Sequence, residues 1–153
     1  MDYEELRVLR EKNDVFPNEL GIVIKKISAG YADGELVIRP DHMNVIHAVH
    51  GGVLFGLADT VCGNAAASYG IPMTTISGTM NFLNAAMEGK SSKLFATARE
   101  IKHGRKICFY DVDIHDDNDR LIAQGTYTFF ALEDKKNILS PDYAAGIEDA
   151  TKK

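Results

Sequence analysis

The chain has 153 residues, of which 25% are charged, a formal net charge of −5 and two cysteines. Its length fits one domain with a single substantial core, and a net negative charge without a long Lys/Arg block argues against nucleic-acid binding. Cys62 and Cys108 stand far apart in apolar settings, which suits reduced core thiols. Because neither a signal peptide nor an apolar run of roughly 18 residues occurs, we expect a soluble, cytoplasmic protein with no membrane partner.

The first third of the chain predicts a helix and a hairpin. Residues 2–12 carry helix formers at helical spacing, and residues 13–18, which include Pro17, end this short helix. Two β-rich segments on either side of a glycine-containing loop then predict an antiparallel hairpin. The two strands are residues 20–28 and 35–39, and the loop between them is residues 29–34. A long loop follows at residues 40–49.

The remainder predicts one long helix and four strands. Apolar residues recur at spacings of three and four from residue 51 to residue 69, and Gly70 and Pro72 end this helix. One apolar helix among consecutive β segments predicts an α+β fold, with an antiparallel sheet around the helix. The four strands are residues 73–83, 92–102, 106–115 and 120–132. The predicted organisation is an N-terminal helix and linker at 1–19, a domain at 20–132 and a peripheral tail at 133–153.

Asp59 is the only formally charged side chain among residues 42–87, although a chain that is 25% charged would place about eleven there. It lies within the apolar helix, and an ionised carboxylate is costly to bury without a partner. Gly52, Gly56 and Gly63 share its stripe, each at a cost of about 0.8–1.0 kcal/mol relative to Ala. The stripe predicts that a ligand or another chain approaches the backbone there. Close packing, with Asp59 bonded to a neighbouring hydroxyl or amide, is the structural alternative.

His50, Gly51 and Gly52 stand at the predicted helix start, where unpaired backbone N–H groups and the helix dipole favour developing negative charge. Asp59 follows two turns later, about 12 Å along the helix axis. Within one chain, these N–H groups and the carboxylate are therefore too far apart to act on one carbon atom. A two-fold dimer could bring the helix start of one chain to the carboxylate of the other.

Asn44, the His50-Gly51-Gly52 triplet and Asp59 fit the spacing N-x5-HGG-x6-D. In this motif the chain resembles the acyl-CoA thioesterases of the hot-dog fold, in their phenylacetic-acid-degradation-related branch. The likeness continues through the strand around Ser77 and through residues 104–129, and it covers roughly residues 20–132. It implies a hot-dog fold, in which an antiparallel sheet wraps around a long central helix, and the hydrolysis of an acyl-CoA to a free acid and coenzyme A.

The resemblance also implies roles for individual residues. The backbone N–H of Gly51 would polarise the thioester carbonyl, and Asp59 of the facing subunit would act as general base on water or as nucleophile. Asn44 would orient the water or the carbonyl, and His50 would help to position the thioester. For Asn44 and His50 the alternative is a loop residue that bonds its own turn. The resemblance implies that neither a metal nor a cofactor is needed. It also implies a homo-oligomer, namely a dimer of dimers (homotetramer) with its sites at the dimer interface.

Ser77 is predicted to support catalysis from the first strand after the long helix. Alternation along this strand places Ser77 on a polar face and leaves the other face apolar. The polar face consists of Thr75, Ser77, Thr79 and Asn81, and the apolar face of Ile76, Met80 and Phe82. The polar face suits either a site or a strand-to-strand dimer seam.

Further residues are predicted to bind the substrate. Gly52, Leu54, Phe55, Met80 and Phe82 shape the expected pocket, whereas the acyl group itself stays open between aryl-acetyl, medium-chain and longer groups. Coenzyme A carries several negative charges, and Arg105 and Lys106 belong to a basic cluster, with Arg99 and Lys102, that could hold its phosphates. The alternative is an ordinary solvated hairpin.

Other kinds of site and function receive less support from the sequence. His42, His47 and His50 beside Asp41 could suggest a metal, but they precede the helix and lack the spacing of helical zinc motifs. Residues 116–119 invite a calcium interpretation, but a hairpin turn explains them without the DxDxDG pattern. An acyl-CoA-binding sensor without activity, and a hot-dog hydratase or dehydratase of acyl thioesters, remain the alternative functions.

Overall fold

The computed structural model describes residues 1–132 and 138–140. Within these residues there are three α-helices, α1 at Tyr3–Asn13, α2 at Val15–Leu20 and α3 at Gly51–Ala67, and a 3-10 turn at Pro40–His42. The strands are β1 at Ile22–Ser28, β2 at Tyr31–Val37, β3 at Met73–Phe82, β4 at Lys93–His103, β5 at Ile107–Asp116 and β6 at Leu121–Ala131.

The six strands form one antiparallel sheet in the order β1-β2-β4-β5-β6-β3. Helix α3 packs across this sheet and contacts all six strands, and its apolar side chains form the core together with those of the strands. The prediction of an α+β fold around one central helix is therefore confirmed. Among residues 1–132 and 138–140, no helix is long and apolar enough to cross a membrane.

The first hairpin is tighter than predicted. Strand β2 begins at Tyr31, opposite Ser28, so the loop expected at residues 29–34 is only a turn around Gly30. Gly30 has a φ of +64°, which glycine adopts without strain. Gly34, misread as a loop glycine, is buried within β2, where a Cβ would lie 3.0 Å from the carbonyl oxygen of Val23. Close packing, rather than a turn, explains this glycine.

The N-terminal segment is part of the core and contains a second helix. The predicted linker carries α2, in which Pro17 is tolerated because it lies in the first turn. Leu6 of α1 is fully buried in the main core. Ile138, from the tail predicted to be peripheral, is also buried there, and its N–H donates to the carbonyl of Gly70 at 2.8 Å. The rest of that tail, 133–137 and 141–153, lies outside the described residues, and the three-segment division stays a prediction.

Candidate active site

The start of α3 leaves one backbone donor free. His50 is the N-cap, and its Nδ1 accepts the N–H of Gly52 at 2.9 Å, while its carbonyl oxygen accepts the N–H of Val53. Within the described part of the chain, no acceptor pairs with the N–H of Gly51. Because Nδ1 of His50 is an acceptor, the neutral ring carries its proton on the exposed Nε2. A carbonyl placed at the helix start therefore meets the N–H of Gly51.

Asn44 lies in the loop before α3 with its amide orientation fixed. Its Oδ1 accepts the N–H groups of Ile46 and Ala48 at 3.0 and 3.1 Å. The Nδ2 group is then the part of the side chain that can donate to a ligand. Asn44 and Gly51 line one cavity of about 300 Å³, together with Leu54 and Phe82.

Asp59 lies half-buried on α3, and its Oδ1 accepts the hydroxyl of Thr75 at 2.7 Å. Burial raises the pKa of this carboxyl above its ordinary value, although the Thr75 hydrogen bond and the Arg10 charge act in the opposite direction. Asp59 lines a second cavity of about 250 Å³. The other walls are Arg10, Asp14, Phe16, Pro17, Thr60, Gly63, Ala67, residues 72–75, Phe129 and Ile138.

The two cavities have no lining residue in common. Gly51 and Asp59 stand eight residues apart on one helix, which corresponds to about 12 Å. The structure thus brings Asn44, Gly51, Leu54 and Phe82 together at one end of α3. It does not bring them together with Asp59 inside a single chain.

Two glycines of the α3 stripe, Gly56 and Gly63, lie beside the chain's own N-terminal helices. A Cβ on Gly56 would lie 3.2 Å from Cε1 of Phe16 and 3.4 Å from Cδ1 of Leu20. A Cβ on Gly63 would meet Arg10 and Phe129 at an ordinary 3.7 Å. The predicted approach of a ligand or another chain is therefore wrong at Gly56, because helical spacing shows that something packs on a stripe but not which segment does so.

A β-bulge in β3 separates Thr75 from Ser77. Thr75 pairs with Phe129 and Ser77 with Thr128, so Ile76 is the extra residue. Paired residues share a face of the sheet. Thr75 therefore faces α3, as buried Phe129 does, whereas Ser77 faces away from it. The predicted common face for Thr75 and Ser77 is wrong, because alternation along a strand does not reveal a bulge. The hydroxyl that reaches Asp59 belongs to Thr75, which the sequence had not singled out.

Phe55 of α3 and Met80 of β3 both contact strand β6. The ring of Phe55 stands 5.2 Å from that of Tyr127, whose hydroxyl donates to the Phe55 carbonyl at 3.1 Å. Met80 pairs with Gly125, where a Cβ would lie 2.5 Å from the Met80 sulfur. Both of these predicted pocket residues therefore contribute to packing between the helix and the sheet. Gly52, a third predicted pocket residue, lies exposed in the first turn of α3.

Arg105 and Lys106 lie in the turn between β4 and β5. This turn is near the C-terminal end of α3, since the rings of Tyr69 and His103 are 4.1 Å apart. Helix α3 has 17 residues, about 25 Å in length. Within one chain, the basic turn and Gly51 therefore lie at opposite ends of α3.

The three histidines of the alternative metal site have separate partners. His42 is buried and its Nε2 bonds the carbonyl of Leu20 at 2.9 Å, His47 bonds Glu88 through Nδ1 at 2.8 Å, and His50 caps α3. No group of three or more potential metal ligands occurs within residues 1–132 and 138–140.

The acidic turn after β5 is held by internal hydrogen bonds. Burial acts to raise the pKa of Asp116, but hydrogen bonds from the backbone and guanidinium of Arg120 and from Ser91 hold it well below its usual range. Asp117 accepts from the backbone and hydroxyl of Ser92. These contacts account for two of the carboxylates that suggested calcium, Asp116 and Asp117.

The comparisons with known proteins agree with this architecture. Residues 47–123 match the thioesterase superfamily, and a putative esterase of Archaeoglobus fulgidus is 30% identical over 131 residues, which cover 86% of this chain and 84% of that protein. This chain belongs to the thioesterase superfamily. The predicted class of enzyme, a thioester hydrolase, is confirmed by this membership.

The likeness to Escherichia coli PaaI places this thioesterase in the predicted branch. Acyl-coenzyme A thioesterase PaaI of Escherichia coli is 30% identical over 112 residues, which cover 73% of this chain and 79% of that protein. The structure of E. coli PaaI, from the phenylacetic acid degradation operon, superposes with a TM-score of 0.81 at 25% identity, over 88% of this chain and 96% of that one. A hypothetical thioesterase from Streptococcus pneumoniae, solved with coenzyme A, has a TM-score of 0.74 at 25% identity, with 83% and 99% covered. The predicted hot-dog fold and PaaI-like branch are confirmed.

Proposed function

We propose that this thioesterase hydrolyses an acyl-CoA to a free carboxylic acid and coenzyme A. The observation that carries the proposal is the N–H of Gly51, which has no acceptor among the described residues, at the start of the same apolar helix that bears the half-buried carboxylate of Asp59. An oxyanion donor and a carboxylate base are the two groups that such a hydrolysis needs. The likeness to E. coli PaaI and to a coenzyme A complex supports the same substrate class.

In the proposed reaction the thioester carbonyl accepts the N–H of Gly51, and the dipole of α3 adds to the stabilisation of the oxyanion. One such donor is worth about 2.7–4 kcal/mol. Asp59 of the facing subunit takes a proton from water while the water oxygen adds to the carbonyl carbon. The C–S bond then breaks, and Asp59 returns the proton to the leaving sulfur, so that coenzyme A departs as the thiol and the acyl group as the free acid. Attack by Asp59 itself, through an anhydride that water hydrolyses, is the second route. The Nδ2 group of Asn44 orients the water or the carbonyl. Neither route requires a metal or cofactor.

We infer that the complete site forms between two chains. Strand β3 is an edge strand of ten residues without a charged side chain, and Ile76 and Phe82 are exposed on it. The opposite edge, β1, has a bulge and the exposed Lys25 and Lys26, which discourage edge pairing. Pairing of two β3 strands about a two-fold axis lets the start of one α3 approach the Asp59 of the other. A dimer of dimers, and the docking of coenzyme A phosphates on Arg105 and Lys106, belong to the same proposal.

The function is tested with a panel of acyl-CoA esters in which released thiol is measured. We expect hydrolysis of at least one ester without added metal or cofactor. Binding of the esters without thiol release would favour the acyl-CoA sensor. Loss of water from a hydroxyacyl-CoA with its thioester intact would favour a dehydratase.

The dimer is tested at β3 by the substitution Ile76→Glu. Placing a carboxylate on each paired edge is expected to break the β3 pairing, which lowers the mass of the assembly, and to lower activity by at least about 100-fold, since each site would lose half of its groups. Light scattering after gel filtration reports the mass, and the thiol assay reports activity. Val23→Glu, on the β1 edge, is the matched control and should keep both. A fully active Ile76→Glu variant of reduced mass would contradict the shared site.

Thr75→Val tests the effect of the Thr75 hydrogen bond on the ionisation of Asp59. The Thr75 hydrogen bond lowers the pKa of Asp59, so its removal raises that pKa further, and less of the carboxylate is ionised in acid. We expect activity to fall about tenfold at the acidic end of the pH profile, with a smaller effect on the alkaline plateau. Thr126→Val, at an exposed threonine of β6, serves as control. Equal losses at every pH would show that Thr75 does not act through the ionisation of Asp59.

A further inference from the structure

The ring of Phe16 lies over α3 beside the Asp59 cavity. Its Cε1 is 3.2 Å from the position of a Cβ on Gly56, one turn before Asp59, and the ring is one wall of the cavity. Phe16 is nevertheless 60% exposed. Phe16 therefore lines the cavity without being part of the buried core, so it can be replaced without loss of core packing.

A side-chain hydrogen bond joins the N-terminal helices to α3 close to the Asp59 cavity. Nε of Arg10 in α1 donates to Oδ1 of Asn64 at 2.8 Å, and Asn64, only 2% exposed, donates in turn to the Thr60 carbonyl. The buried amide gives the arginine a fixed anchor on α3. Helix α2, which carries Phe16, follows α1 after Asp14 alone, so this bond also holds Phe16 in place.

The cavity has the position expected of an acyl pocket if the proposed function holds. A thioester carbon must lie beside Asp59, and its coenzyme A part approaches from the helix start of the facing chain. The acyl group then extends beyond Asp59 into the cavity. The cavity has a volume of about 250 Å³. Phe16 and Pro17 from α2 close one side.

We propose that Phe16, held over this cavity by the N-terminal helix pair, is the residue that limits the length of the acyl group which this thioesterase accepts. Compact acyl groups fit behind the ring, whereas long chains collide with it. The inference rests on the proposed acyl-CoA hydrolysis, and it assigns the N-terminal segment a part in substrate selection.

The test compares butanoyl-, octanoyl- and hexadecanoyl-CoA on the wild type, Phe16→Ala and Phe16→Trp, with the thiol assay. One methylene more or less in a hydrophobic pocket changes discrimination by about 10–200-fold, and loss of the whole Phe16 ring is a larger change in this cavity, whose lining is mixed polar and apolar. We expect Phe16→Ala to raise the hexadecanoyl-to-butanoyl ratio of kcat/KM by at least about tenfold, and Phe16→Trp to lower it. Val15→Ala is the matched control, because Val15 is 61% exposed, adjacent in sequence and absent from the cavity wall; its ratio should match the wild type.

Asn64→Leu separates the anchoring of the helix pair from the ring. It removes the acceptor of the Arg10 hydrogen bond without changing a residue of the cavity wall, and a looser helix pair is expected to raise the same ratio. An unchanged ratio in Phe16→Ala, with wild-type hydrolysis of the esters, would overturn the role of Phe16 and leave the proposed function standing. If the wild type hydrolyses no ester, the proposed function itself fails.

Discussion

Replacement of Asp59 by Asn is expected to lower kcat/KM for acyl-CoA hydrolysis by about 10²–10⁴-fold, the usual contribution of a positioned general base. Asn keeps the size of the side chain and an oxygen that can accept the Thr75 hydroxyl at the same place. The loss would therefore report the missing carboxylate and not a rearranged site. The thiol assay measures it, and Asp111→Asn, at an exposed carboxylate of β5 outside both cavities, is the control.

The same variant is expected to be at least as stable as the wild type at about pH 8, although it is inactive. Burial raises the pKa of Asp59 in the folded chain, so folding favours its neutral form. The stability that this group contributes is present in acid and is lost as the pH rises through the folded pKa. Asn is neutral at every pH and avoids that loss. Thermal melts at about pH 4 and pH 8 should show the advantage only at the higher pH; a lower melting temperature for Asp59→Asn at the higher pH would contradict this account.

Gly51→Pro is expected to lower kcat by about 10²–10³-fold, because it deletes the proposed oxyanion donor. Gly51 is the first residue of α3, where proline fits without loss of a helical hydrogen bond. His50 before it is already extended, with φ −61° and ψ 137°, as a residue preceding proline prefers. Circular dichroism and thermal melting should therefore remain close to wild type.

Gly51→Ala is the matched control, because it keeps the N–H and adds only a Cβ. That Cβ would meet the ring of Phe82 at 3.4 Å, an ordinary contact, so a loss of only a few-fold is expected. Similar losses for Ala and Pro would show that crowding at the helix start, and not the missing N–H, lowers the rate.

Mixing the two inactive variants tests whether each site draws on two chains. Heterodimers of Gly51→Pro and Asp59→Asn contain one site in which both groups are intact, so random exchange should restore about a quarter of wild-type activity. No recovery after confirmed subunit exchange would place Gly51 and Asp59 of a single chain in one site, against the separation of about 12 Å along α3.

Much of the fold could be predicted because its signals are local. The period of α3 follows from apolar residues at spacings of three and four, and β3 to β6 follow from β-rich segments between turn residues. The bounds of the first hairpin were harder to predict, because glycine is a common turn residue. Gly34 is instead required within β2 by close packing against Val23. Helix α2 was missed because Pro17 usually ends a helix and is compatible with one only in the first turn.

The sequence by itself determined the two groups at the centre of the proposed chemistry. Glycine and histidine at a helix start, and one carboxylate in an uncharged stretch, are features of composition and spacing, which act within a few residues of one another. Only the tertiary structure decided what surrounds them. The bulge at Ile76 directs Thr75 rather than Ser77 towards Asp59, and α2 places Phe16 on the stripe of Gly56. Such contacts join residues distant along the chain, and their geometry depends on backbone register and packing, which no local pattern contains.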